Sequence, residues 1–254
     1  MIDSLIRFID RIALALGRRY PRPIAFVRAR LSRESYLGLQ LTLGALVLIG
    51  FGWLFGGIAE DVATGDPLTV VDLLIARWFQ SHRDPALTQA MLVLTHLHGV
   101  LAIGILAALA ALVLGWRRDW HWLLVLGLTV PGGMLVNTLT KLAFQRDRPS
   151  DEHPLLVLAT SSFPSGHVAG ATLFYGFLVA FYVARPGQWR HKLTAVVVAT
   201  ALVALVALSR MTLGVHYLSD VLAAFAESVA WLTLCVVGTR TYSRYRATAQ
   251  DAGG

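Results

Sequence analysis

Three short groups of polar residues interrupt an otherwise apolar chain, and their side chains are of the kinds that bind phosphate. The groups are Lys141 with Arg148-Pro149, then Pro164-Ser165-Gly166-His167, then Ser209-Arg210 with His216 and Asp220. Arginine binds phosphate oxygens in bidentate fashion, and lysine adds a point charge. A serine hydroxyl, a glycine N–H open to close approach and the start of a helix also favour an anion. Together they predict a phosphate site formed by Lys141, Arg148, Ser165, Gly166 and Arg210.

Two histidines add nucleophilic and acid–base chemistry to this phosphate site. His216 and Asp220 are spaced i, i+4, which on a helix would put them on one face. A carboxylate bonded to one imidazole nitrogen makes the other nitrogen more basic, so His216 is the predicted nucleophile toward phosphorus. His167 comes from another segment and is predicted to protonate the leaving oxygen. Because no group of acids with metal-ligand spacing lies nearby, we expect Lys and Arg to stabilise the developing charge, with no metal and no cofactor.

The elements that must position these residues are predicted to be transmembrane helices. The 254-residue chain is 56% hydrophobic and only 15% charged, with a mean hydropathy of +0.62. Soluble domains carry about 25% charged residues, so a soluble or disordered protein is excluded. Stretches long enough to cross a bilayer are 35–59, 85–116, 120–140, 153–184, 193–209 and, with Asp220 and Glu227 inside it, 216–238. The predicted fold is all-α, an integral membrane bundle of six transmembrane helices.

The positive charges predict how this bundle is oriented. If the N-terminus is cytoplasmic, 16 of the 22 Lys and Arg residues lie on the cytoplasmic side. This is the positive-inside pattern, and it places both termini inside and all three motifs on the outer face. The net charge of +7 is therefore explained by topology, and no nucleic-acid partner is expected. Cys235 is the only cysteine, which excludes an internal disulfide and a Cys-rich metal site.

The chain is predicted to have three parts. Residues 1–34 form a basic arm, and its segment 1–20 is expected to be an amphipathic helix lying on anionic lipid. Residues 35–240 form the six-span domain, and 241–254 form a cytoplasmic tail. A second amphipathic stretch, Thr69 to Phe79, is expected on the outer surface between the first two spans.

The three motifs resemble the signature of the type 2 phosphatidic acid phosphatase superfamily, in its bacterial membrane-bound form, over roughly 35–240. The resemblance lies in Lys-x(6)-Arg-Pro, Pro-Ser-Gly-His and Ser-Arg-x(5)-His-x(3)-Asp, complete and in order. It implies a metal-independent lipid phosphatase of the inner membrane that works through a phosphohistidine. His216 would be the nucleophile, Asp220 its orienting partner and His167 the general acid. The superfamily also includes soluble vanadium haloperoxidases, which lack this transmembrane content.

The sequence leaves the substrate open. Undecaprenyl diphosphate is the predicted lipid, because an outward site suits recycling of a carrier released outside the cytoplasm. Phosphatidylglycerol phosphate and phosphatidic acid are the main alternatives, followed by lipid A as the substrate or a phosphotransferase reaction. A lipid or ion transporter is the non-enzyme alternative, but transporter charges usually lie near the bilayer midplane and in repeated halves. The oligomeric state is not predicted.

Four other polar residues near the motifs are predicted to have structural roles. His96 and His98 are expected to be packed or hydrogen-bonded, although they could line a substrate groove at the outer end of the second span. Arg146 is interpreted as a solvated loop charge in preference to a phosphate ligand. Glu227 is interpreted as a hydrogen-bonded acid within the bundle, although an ionisable group at membrane depth is a functional candidate.

Overall fold

The computed structural model describes residues 38–150, 155–156 and 158–251, and over these residues it is all-helical, as predicted. The helices are α1 (Leu39–Thr64), α2 (Pro67–Ser81), α3 (Pro85–Leu97), α4 (Val100–Trp116), α5 (Trp120–Phe144), α6 (Gly166–Val183), α7 (Trp189–Thr212) and α8 (Leu218–Asp251). The predicted arm 1–34, with its interfacial helix, lies outside the described residues.

Five helices are long and apolar enough to cross a membrane, namely α1, α5, α6, α7 and α8 over Leu218–Arg246. The stretch 85–116, predicted as one span, consists of α3 and α4 meeting at an angle of 42°, and the pair makes a sixth span if both helices belong to one crossing. The break falls where the N–H groups of His98 and Gly99 donate to the carbonyls of Thr95 and His96, each at 3.3 Å. These short-range bonds close α3, and Gly99 then caps the start of α4.

The turn between α1 and α2 is built by a glycine and a proline. Gly65 has φ +80°, in the left-handed region that favours glycine, and its N–H donates to the carbonyl of Asp61 at 3.0 Å. Pro67 then starts α2, where its missing N–H costs nothing. The amphipathic pattern predicted over Thr69 to Phe79 is present, since Asp72 and Ala76 are buried while Val70 and Leu74 are exposed.

Helix α6 lies at the centre of the larger of two compact units, Leu48–Val236. One side of it packs against α4 and α5, through Ile103, Trp122, Val125, Leu173 and Phe177. The other side packs against α7 and α8, through Val168, Ala171, Val206, Val221 and Ala224. Close approach depends on glycines, because a Cβ on Gly133 would lie 2.6 Å from the Leu173 methyl carbons. In the smaller unit, a Cβ on Gly44 would lie 2.6 Å from Val237.

Several helix ends differ from the predicted spans, and these ends carry the motifs. Helix α5 continues past residue 140, so Lys141 lies in its last turn. Helix α6 starts at Gly166 with Ser165 as its N-cap, well inside the predicted span 153–184. The last helix runs to Asp251, well beyond the predicted span end at 238. Span ends predicted from hydropathy mark the apolar stretch, whereas the helical backbone continues into polar residues.

Candidate active site

The first motif is joined to the loop that leads into the second. Lys141 Nζ donates to the carbonyl of Ser161 at 2.8 Å, and Ser161 Oγ donates to the carbonyl of Lys141 at 3.1 Å. Arg148 donates from Nε to the carbonyl of Thr160 (2.9 Å) and from Nη1 to that of Val215 (2.7 Å). Because Val215 directly precedes His216, Arg148 links the first motif to the third.

The second motif is joined to the third through its backbone. The N–H of Ser165 donates to the carbonyl of Asp220 at 3.0 Å. Ser165 Oγ is fully buried and has no hydrogen-bond partner among the described residues. A Cβ on Gly166 would make only ordinary contacts, 3.6 Å from Asn137 Oδ1 and 3.9 Å from Lys141 Cε. Protein packing therefore does not require glycine at 166, whereas close approach of a ligand to its N–H would.

His167 lies on the second residue of α6, next to the break between α3 and α4. Its Nε2 is 3.8 Å from where a Cβ on Gly99 would stand. The imidazole is also within electrostatic range of Arg210, His216 and Arg148. His167 is therefore close enough to the cations of the first and third motifs to interact with them electrostatically.

Arg210, in the last turn of α7, is the most unusual member of the site because its guanidinium is only partly satisfied. The residue is 1% exposed, and its Nη1 donates to Thr95 Oγ1 at 2.6 Å. Its Nε and Nη2 have no hydrogen-bond partner among the described residues. Burying charged N–H groups without acceptors is costly, so these two donors favour an anion beside them.

His216 is almost fully buried, at 3% exposed, and each of its two ring nitrogens contacts a different charged residue. Its Nδ1 lies 3.3 Å from Asp220 Oδ2, and its Nε2 lies 3.3 Å from Arg148 Nη1. A guanidinium only donates, so Nε2 is the acceptor and the proton is on Nδ1. Burial lowers the pKa of His216 to about 4, against the raising effect of Asp220, so the imidazole is neutral at neutral pH and its Nε2 lone pair is directed toward Arg148.

The prediction that His216 and Asp220 share one helix face was wrong. Helix α8 starts at Leu218, so His216 lies in the preceding turn and Asp220 in the first helical turn. Asp220 Oδ2 accepts the N–H of Tyr217 at 2.9 Å, as an acid at a helix start commonly does. The two side chains therefore meet across the start of α8.

The interpretation of Arg146 as a solvated loop charge was also wrong. Its side chain is 14% exposed and donates from Nη2 to Asp72 Oδ2 (2.8 Å) and from Nη1 to Asp220 Oδ1 (2.7 Å). Asp72 is a site neighbour that the motifs do not predict. The available signal was one acid within the apolar run Val70 to Ile75 of an amphipathic helix.

The remaining polar residues have structural partners. Glu227 is hydrogen-bonded within the bundle, as interpreted, accepting from Thr140 Oγ1 (2.6 Å) and Asn137 Nδ2 (3.2 Å). His98 contacts Tyr175 Oη through its Nε2 at 2.8 Å and also lines an apolar groove. His96 is exposed, and its Nδ1 lies 2.6 Å from the carbonyl of Leu92.

Two cavities meet this site. A polar cavity of about 580 Å³ opens over Lys141 and Arg148. An apolar groove of about 390 Å³ runs between α4, α5 and α6 and reaches Gly166. No group of three or more His, Cys, Asp or Glu residues able to hold a metal occurs in the described ranges.

The fold and site together define a helical membrane protein in which three motifs meet at a candidate anion site. The chain belongs to the PAP2 superfamily, whose model matches residues 120–244. It is 34% identical over 146 residues to phosphatidylglycerophosphatase B of Bacillus subtilis (strain 168), covering 57% of this chain and 71% of that protein. The resemblance to this superfamily is confirmed, and the chain is a multi-pass membrane lipid phosphatase.

Solved structures show the same architecture. The transmembrane PAP2 type phosphatidylglycerolphosphate phosphatase from Bacillus subtilis matches with a TM-score of 0.67 at 29% identity, over 74% of this chain and 93% of that one. Aquifex aeolicus LpxE matches in fold with a TM-score of 0.50 at 20% identity, over 66% and 94%. The match to the phosphatidylglycerolphosphate phosphatase, at 29% identity, favours the enzyme over the transporter alternative.

Proposed function

We propose that this protein hydrolyses phosphatidylglycerophosphate to phosphatidylglycerol and phosphate through a phosphohistidine on His216. The observation that carries the proposal is the pairing of His216 Nδ1 with Asp220 beside the unpartnered, buried donors of Arg210 and Ser165. The neutral imidazole can act as a nucleophile, and the unpartnered donors beside it can bind the phosphate of the substrate. The substrate is chosen because the B. subtilis relatives bear that activity in their names.

In the first step, His216 Nε2 attacks phosphorus and the bond from phosphorus to the lipid oxygen breaks. His167 gives its proton to that oxygen, and the lipid alcohol leaves. In the second step, water attacks the phosphohistidine, His167 takes the proton from the water, and the P–N bond breaks to release phosphate. Lys141, Arg148, Arg210, Ser165 and the Gly166 N–H hold the phosphate oxygens in both steps.

The test is phosphate release by purified protein from a panel of lipid phosphates, each with and without excess chelator. Phosphatidylglycerophosphate should give the highest kcat/KM, and the chelator should leave it unchanged because the arginines and lysine supply the positive charge. The panel includes phosphatidic acid and undecaprenyl diphosphate. Clear preference for undecaprenyl diphosphate would replace the proposed substrate with the one predicted from the sequence, and loss of activity restored by Mg²⁺ would contradict metal independence.

The apolar groove that reaches Gly166 supports a lipid substrate, since an acyl chain in it would enter beside the phosphate site. Replacing the groove residue Ala108 with tryptophan should raise KM for a long-chain lipid phosphate about tenfold, equivalent to losing burial of about two CH₂ groups. Hydrolysis of p-nitrophenyl phosphate should not change. The matched control is Leu112→Trp, on the same helix at a side chain 69% exposed and away from the groove. Equal losses on both substrates would count against chain binding in this groove.

We propose that both termini face the cytoplasm of the inner membrane and that the site faces outward, as the positive-inside pattern supports. A tag inserted at residue 152, between the first two motifs, should then be labelled by an impermeant reagent in intact spheroplasts. A tag at residue 187, between α6 and α7, should be labelled only after permeabilisation. The reverse result would invert the topology and leave the chemistry unaffected.

A further inference from the structure

Helix α2 presents a buried acid toward the candidate site, although it carries none of the three motifs. Asp72 is fully buried, while Val70, Leu73 and Leu74 of the same helix are exposed. A carboxylate buried in this way needs partners of its own, because desolvating a charge is costly. Its partners come from the loop after α5 and from the start of α8, which are the segments that carry Arg146 and Asp220.

Asp72 uses both of its oxygens. Its Oδ1 accepts the backbone N–H of Ser219 at 2.9 Å, and its Oδ2 accepts the Ser219 hydroxyl. The same Oδ2 accepts Arg146 Nη2 at 2.8 Å. Asp72 therefore fixes both the first residues of α8 and one arm of the Arg146 guanidinium.

The other arm of Arg146 reaches the catalytic pair. Its Nη1 donates to Asp220 Oδ1 at 2.7 Å and to Ser219 Oγ at 2.6 Å. Its guanidinium carbon also lies 4.3 Å from the centre of the Tyr217 ring. Burial lowers the pKa of Arg146, but Asp220 and Asp72 outweigh burial and raise it, so the guanidinium is a permanent cation between two carboxylates.

Asp220 is thereby held at both oxygens. Arg146 binds Oδ1, while the Tyr217 N–H and the His216 imidazole share Oδ2. A carboxylate with both oxygens bound cannot rotate freely, so the direction in which it holds the His216 ring is fixed. Arg146 itself points both arms at acids and is therefore not arranged to bind phosphate.

We propose that Asp72 and Arg146 are positioning residues that fix the Asp220 carboxylate and, through it, the orientation and basicity of the His216 imidazole. This inference rests on the proposed function, because the basicity of His216 matters to turnover only if it is the nucleophile. It extends the site to α2, which lies before the region 120–244 matched by the family.

The test compares Arg146→Gln, Arg146→Lys and Asp72→Asn with two matched controls at exposed positions, Arg77→Gln on α2 and Asp66→Asn at its N-cap. Arg146→Gln should lower kcat about 10²-fold while KM stays within about threefold, because a small misplacement costs this much in rate but not in binding. Arg146→Lys should lose about tenfold, since lysine keeps the charge but cannot bridge two carboxylates. Both controls should match wild type.

The pKa of His216, followed by NMR of histidine-labelled protein, separates positioning from a purely structural role. Arg146→Gln removes a cation beside Asp220, so the pKa should rise from about 4 by about one unit. Asp72→Asn removes an anion, so the pKa of His216 should fall in this variant, by a smaller amount. The other groups facing His216, namely Asp220, Arg148, Arg210 and His167, are unchanged in both variants.

Opposite pKa shifts with a loss confined to kcat support the inference. It is overturned if Arg146→Gln raises KM alone, which would make Arg146 a phosphate ligand, or if the pKa does not move in either variant. The NMR measurement does not depend on turnover. If wild type releases phosphate from no lipid in the panel, the proposed function fails, and the pKa shifts still decide whether Asp72 and Arg146 hold the pair.

Discussion

Replacing His216 with alanine should abolish phosphate release, with a loss in kcat of about 10⁴-fold or more. The variant removes the only protein atom proposed to form a bond to phosphorus, while Lys141, Arg148 and Arg210 remain to bind substrate. In wild type, quenching during turnover of ³²P-labelled substrate should trap an acid-labile phosphoryl group that is stable in alkali. The alanine variant should carry none.

The control for this prediction is His191→Ala, an exposed histidine on α7 that lies outside the site. It should keep full activity, and both proteins should elute as folded species in detergent. Retained turnover in a folded His216→Ala variant would move the nucleophile to another residue. In wild type, kcat/KM should fall on the acid side as His216 becomes protonated, because only the neutral ring attacks; its pKa of about 4 sets this limb in the free protein.

Arg210→Lys should lower kcat/KM by about 10³-fold, the second largest effect expected. Arg210 is the residue whose Nε and Nη2 are buried without a partner, and lysine replaces that fork with one point charge. The shorter reach of its single ammonium also cannot bind phosphate and Thr95 Oγ1 together. Vanadate, which adopts the five-coordinate geometry of a phosphoryl transition state, should inhibit wild type competitively and the variant far less.

The matched control is Arg190→Lys, at the opposite end of the same helix and exposed. It should leave both kcat/KM and the vanadate inhibition constant unchanged. If Arg210→Lys weakens turnover while vanadate binds as in wild type, Arg210 acts elsewhere than on the phosphate. Unchanged turnover would remove Arg210 from the site.

The convergence of the three motifs could be predicted from the sequence because it depends only on counting spans. Each motif follows or precedes a long apolar stretch, and alternate crossings bring such ends to one side of the bundle. The contacts among Arg148, Val215 and His216, and between Ser165 and Asp220, agree with this count. The site residues that could be predicted from the sequence are those that belong to a short motif, because the motif itself indicates their role.

The contacts that could not be predicted join residues far apart in sequence or depend on where a helix starts. Arg146 and Asp72 are 74 residues apart, and no local pattern indicates that an arginine in a loop will lie between two buried acids. The position of His216 just outside α8 depends on a helix start at Leu218 that hydropathy does not mark. The break between α3 and α4 likewise falls within a stretch that carries no charge.

The hydrogen bond from Arg210 to Thr95 and the ion pair of Arg146 with Asp72 both reach helices that precede residue 120. A fragment beginning at Trp120 would retain every motif and still leave one buried arginine with no bond to Thr95 and the other facing a single acid. The three motifs alone therefore do not contain every residue that positions the site for phosphoryl transfer. Any attempt to graft this chemistry onto another helical scaffold must supply substitutes for α2 and α3 as well.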